Sequence, residues 1–134
     1  FDLSSPKKYV MIKEINCGFA VFAVNLSRKG RRKSMIKHIL FWTFNEQAKK
    51  GDTAAMIEKM HASAQNMVGK IDGLITAGVY PNLAGGSCDF IFYSEFATKQ
   101  ALDAYQTHPL HQAHKEMSKD WLATRIVGDF EPEE

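Results

Sequence analysis

Two cysteines are all that the 134 residues offer, Cys17 and Cys88. A disulfide framework of the kind that staples small secreted domains needs more, so both thiols are read as free and the setting as reducing and cytoplasmic. Long apolar runs are missing too. No stretch reaches the ~20 residues of a membrane span, and the nearest approach, Cys17–Leu26, is interrupted by Asn25. That run is also a poor signal-peptide core. Glu14 and Asn16 separate it from Lys7, Lys8 and Lys13, no small-x-small cleavage site follows, and Arg28–Lys33 is strongly basic. There is no internal repeat and no low-complexity tract. Gly85-Gly86 lacks the spacing and the following Lys of a phosphate-cradling loop, which leaves Cys88 as an ordinary strand-entry residue.

What is present suits one packed domain. Hydrophobic residues make up 45% of the chain and aromatics 11%, enough for a core. A domain of this size buries only ~60–70% of its unfolded surface, so a second subunit would add useful burial. The net charge of +2 hides an asymmetry. Residues 1–34 carry eight Lys or Arg and two acids, a net +6, whereas residues 35–134 carry nine and thirteen, a net −4. The basic segment ends in Arg28-Lys29-Gly30-Arg31-Arg32-Lys33-Ser34, and Met35 then opens a strand-like run. We read residues 1–34 as an N-terminal extension outside the domain, with Met35 as the natural start. The alternative is a basic arm for an acidic partner. The mildly acidic domain over 35–134 gives no reason to expect nucleic acid.

Ile36–Phe44 is short, β-branched and aromatic, which predicts a buried strand. Alternation puts His38, Leu40, Trp42 and Phe44 on one face and Ile39, Phe41 and Thr43 on the other. Both faces are apolar, so both need cover: helices on one, a second subunit on the other. Gly51-Asp52 opens a helix, with Asp52 or Thr53 as its N-cap, and Met56, Ile57, Met60, Ala64, Met67, Val68 and Ile71 recur at helical spacing. Asp72-Gly73 closes it. Leu74–Tyr80 and Asp89–Phe96 read as strands around the turn-rich loop Pro81–Ser87. Thr98–Gln106 reads as a short helix. Pro109 starts another, running to about Leu122 with Leu110, Ala113, Met117 and Trp121 as its buried stripe. Arg125–Phe130 is the last strand. The order β-α-β-β-α-α-β implies an α+β, ferredoxin-like fold: an antiparallel four-stranded sheet with helices on one face.

Several of these segments together resemble the stress-responsive α/β-barrel domain family. Met35–Phe44 is similar to its opening strand, where Lys-His precedes an apolar run. Lys70-Ile71-Asp72-Gly73-Leu74 resembles its I-P-G-I turn, with Asp72 in place of Pro. Asp89 and Phe96 fit its third strand, Asp129 fits its last, and Leu102-x-x-Tyr105-x-x-His108-Pro109-x-His111 is the most specific match. The resemblance covers 35–134 and none of 1–34. It implies a homodimer whose two sheets pack face to face into a barrel, and a cavity in each subunit between sheet and helices. It also implies that a plant branch of polyketide cyclases and the cofactor-free monooxygenases of similar barrels are the nearest chemistries.

The candidate catalytic residues are His38, Tyr105 and His111. In the cyclase branch a His at the position of His38 lines the pocket, where a neutral imidazole could take a proton. By the same resemblance Tyr105 could hold an enolate oxygen while His111 acts as base. Each also has a plainer reading: a histidine bonded to backbone, a core aromatic, a His-Pro-x-His turn that sets a chain reversal. One departure is clear. The cyclases place a further His early in the third strand, where this chain has Phe90. That leaves an apolar cavity lined by Leu40, Trp42, Phe90 and Phe92, with His108 at its edge, suited to a small apolar or aromatic carbonyl compound. His108, His111 and His114 are spaced by three, which drifts about 60° per step around a helix, so they do not converge on a metal. Neither a metal nor a cofactor is expected. His61 is read as half-exposed and without a role. Three functions follow: a His/Tyr acid-base enzyme, a non-catalytic dimeric stress or ligand-binding protein, and a cofactor-free monooxygenase-like barrel. The first two are favoured equally over the third, and the sequence does not choose between them.

Overall fold

The computed structural model describes residues 35–133. The readings of the basic segment 1–34, Cys17 included, lie outside the described residues. Strand β1 (Ile36–Phe44) is followed by a one-turn helix α1 (Glu46–Lys49) and by α2 (Thr53–Met67). Strands β2 (Leu74–Pro81) and β3 (Phe90–Phe96) form a hairpin, α3 (Lys99–Gln106) and α4 (Pro109–Ser118) follow, and β4 (Leu122–Phe130) ends the fold after a single 3-10 turn. The sheet order is β2-β3-β1-β4, antiparallel at every pairing. This is the expected ferredoxin-like layer.

Local chemistry sets the element ends. The side chains of Asn45, Asp52 and Thr98 each accept the backbone N–H three residues on, capping α1, α2 and α3. His108 does the same for α4 through Nδ1, which accepts from Leu110 N–H at 3.1 Å, while Pro109 takes the first helical position. Asp89 fastens the start of β3: its N–H donates to Trp42 O and its carboxylate accepts from Phe44 N–H, both at 2.8 Å. Gly73 turns the chain into β2 at φ +82°, and a Cβ there would lie 2.4 Å from that of Ala101. Only glycine fits both the backbone and the space. Where β1 bulges near Thr43, the Thr43 hydroxyl accepts from Thr124 N–H at 3.0 Å and holds β4 in place. On the outer edge of β2, Gln65 of α2 donates to Ala77 O and His61 Nδ1 accepts from Val79 N–H. Two helix side chains thus occupy backbone groups that would otherwise template strand pairing. His61 is half-buried as expected, but it has this structural task.

The core lies between sheet and helices. Ile36, Leu40 and Phe44 of β1 meet Phe90, Phe92 and Phe96 of β3, together with Met60, Ala64 and Met67 of α2 and Leu102 and Tyr105 of α3. The other sheet face has no such cover among the described residues. It carries Ile39, Phe41, Ile91 and Tyr93, with Ile126 66% and Phe130 49% exposed. Lys37 sits on this face too, donating to Glu95 at 2.8 Å and to the Tyr93 hydroxyl at 2.9 Å. Among the described residues no helix is long and apolar enough to cross a membrane.

Two expectations need correction. The helix from Pro109 stops at Ser118, not near Leu122, because the chain tightens into a 3-10 turn before β4. Its buried face is His111, His114 and Ser118, while Ala113 is exposed. Of the expected stripe, Leu110, Met117 and Trp121 are half-buried and pack against the core, and Ala113 is the member that misses it. Reading histidine as polar left out His111 and His114, which are buried more deeply beside them.

Candidate functional site

The register places the candidate residues at one end of the sheet. His38 sits opposite Ser94 of β3 on one side and Asp129 of β4 on the other. Its ring is buried. Nδ1 pairs with the Asp129 carboxylate, whose side chain remains 39% exposed. Ser94 Oγ donates to the His38 carbonyl, closing the strand beneath. A carboxylate accepts only, so Nδ1 carries the proton in the neutral ring and Nε2 carries the lone pair.

Tyr105 stands over this ring from α3. The two ring centroids are 6.1 Å apart and edge to face, and Phe96 packs edge-on against both. The Tyr105 side chain is 1% exposed, and burial pushes its phenol well above the ordinary range, so it stays protonated. Among the described residues its hydroxyl has no hydrogen-bond partner. Such a donor costs about 1–3 kcal/mol to leave unsatisfied.

His111 completes the group from the first turn of α4. Its ring stacks on Tyr105 with centroids 3.9 Å apart, and Nδ1 donates to the Tyr105 carbonyl at 3.2 Å. Burial, with smaller contributions from Lys115 and His114, lowers its pKa to about 4, so the ring is neutral at neutral pH with its lone pair on Nε2. The fold thus brings His38, Tyr105 and His111 together, although one nitrogen of His111 is taken by backbone.

The other candidates go elsewhere. Trp42 and Phe90 stack on each other, 6.4 Å apart, at the far end of the strand, where Phe44 also meets Phe90. Leu40 and Phe92 are buried in the middle of the core. His108 caps α4. His114 donates to or accepts from Ser63 Oγ at 2.8 Å, and lies edge-on to Phe92 at 5.5 Å. The three histidines that share a spacing of three therefore take three different partners. Asp129 is the residue whose role the sequence did not disclose. The family pattern marked its position, but no local signal joins two residues 91 apart.

The profile of the Stress Responsive A/B Barrel Domain matches residues 36–132. The chain belongs to that family. A dimeric ferredoxin-like protein of unknown function from Thermobifida fusca is 24% identical, with TM-score 0.62, over 83% of this chain and 100% of that one. A family member with a ferredoxin-like fold from Mesorhizobium loti is 22% identical, with TM-score 0.58, over 76% and 100%. A protein from Arabidopsis thaliana is 23% identical, with TM-score 0.62, over 74% and 96%. These likenesses establish the fold. A comparison with curated proteins finds no match.

Proposed function

We propose that this family member is a homodimer, joined sheet to sheet, whose His38 cluster performs acid-base chemistry on a small carbonyl compound. The dimer reading rests on the apolar open face, where Phe41, Ile126 and Phe130 would otherwise stay in water. The dimeric Thermobifida fusca relative agrees with it.

The chemical reading rests on one observation above the others: a buried histidine whose Nδ1 is held by Asp129, beside a buried tyrosine whose hydroxyl lacks a partner among the described residues. In this reading His38 Nε2 removes a proton from the carbon next to a carbonyl. Tyr105 donates its O–H to the oxygen on which negative charge develops. Asp129 fixes the tautomer and direction of the ring. His38 serves as base in preference to His111, because His38 has a carboxylate behind it whereas burial disfavours the cation of His111. His111 instead orients Tyr105 by stacking. No cofactor enters these steps.

The test is deuterium exchange at the α-carbons of simple ketones and keto acids in D2O, followed by proton NMR. The intact protein should accelerate exchange over buffer, and His38→Gln and Asp129→Asn should each reduce it by ~100-fold or more. Exchange at the buffer rate, or rates unmoved by both substitutions, would sink the acid-base reading. A non-catalytic ligand-binding dimer would then be the better account.

A further inference from the structure

The helices cover β2, β3 and β1 but leave the same face of β4 open: every residue from Ala123 to Phe130 is exposed. The register pairs Asp129 with His38, Val127 with Leu40 and Arg125 with Trp42. Side chains two apart share a face, so an acid, an apolar residue and a base stand in a row beside the strand that carries His38. Arg125 and Asp129 are four residues apart, or ~13 Å along an extended strand. Asp129 is engaged by His38 at one end. At the other, the Arg125 guanidinium lies 6.0 Å from the centre of the Trp42 ring, and among the described residues no acid reaches it. An arginine held over an aromatic ring keeps its N–H fork free for a planar carboxylate.

We propose that this strip of β4 is the substrate groove of the His38 site, and that it takes an elongated acyl compound: a carboxylate on Arg125, an apolar chain along Val127, and a carbonyl at His38. The proposal rests on the acid-base reading for the carbonyl end only; the carboxylate end stands on Arg125 and Trp42. Charge selects the ligand. Among the described residues the strip offers one unpaired cation, four residues along β4 from the Asp129 that holds His38, so an acid fits where its ester does not. Dimerisation through the opposite sheet face leaves the groove accessible.

The experiment titrates the full chain by calorimetry with 8-oxononanoate and with its methyl ester, and follows α-deuterium exchange of both. The acid should bind the wild type about 10- to 100-fold more tightly than the ester, the range expected for loss of a charged hydrogen bond. Arg125→Gln should erase that difference, and Arg125→Lys should keep part of it. The position is exposed, so both variants should fold. Acid-selective, Arg125-dependent binding without exchange supports the groove and removes the chemistry assigned to His38. Equal binding of acid and ester, or selectivity that survives Arg125→Gln, overturns the groove, and exchange persisting under those conditions leaves the His38 reading intact. No binding of either compound to the wild type also overturns it.

Discussion

Acid should unfold this domain through the buried face of α4. His114 is held by Ser63 and enclosed against Phe92, and burial lowers its pKa from 6.5 to about 4. Burial disfavours the cation, so between those values the unfolded chain binds a proton that the native chain does not. The contribution to stability is therefore complete above about pH 6.5. It falls as the pH drops, and the loss is complete once the pH passes about 4. Each such histidine changes stability by ~1.4 kcal/mol per pH unit within the window, which makes about 3 kcal/mol for His114 across it, a large part of a total of ~5–15 kcal/mol. His111 titrates in the same direction and window and steepens the profile. Urea unfolding at pH 7, 6, 5 and 4 measures this, with His114→Gln as the comparison, since Gln can still reach Ser63 but does not titrate. The wild type should lose about 3 kcal/mol more than the variant between pH 7 and pH 4. Parallel profiles, or an NMR midpoint for His114 near 6.5, would refute the argument.

Two further predictions concern the scaffold. Gly73→Ala should cost about 2–4 kcal/mol, combining positive-φ strain with the contact against Ala101. Adding Ala101→Gly should return only the steric part, and a urea-measured loss below ~1 kcal/mol for the single variant would show that the turn relaxes. On the open face, Phe41→Glu with Ile126→Glu should convert the dimer into a monomer at high micromolar concentration by light scattering. A wild-type monomer under the same conditions would count against the barrel.

The readings that succeeded were those set by neighbours in sequence. Alternation in Ile36–Phe44 assigned each residue to its face, because a strand's side chains must alternate whatever surrounds it. Asp52 was legible as a cap and Pro109 as a helix start for the same local reason. The apolar series Met60, Ala64, Met67 was visible because the same atoms that make the pattern make the core. α1 escaped notice, being a single turn held by the Asn45 cap and lacking any periodicity of its own.

What the tertiary structure alone decided are the pairings between distant residues. The expected stripe of α4 omitted His111 and His114, whose burial depends on Tyr105 and Ser63 on other helices. The carboxylate behind His38 comes from β4, and the antiparallel register that sets Asp129 opposite His38 is fixed by the whole sheet rather than by either strand. The same register puts Arg125 on Trp42. A chain's own sequence dictates which way each side chain leans from its strand or helix. Which chemical group it meets there depends on how the layers close, and the free energy of that closure is shared among all the residues of the core.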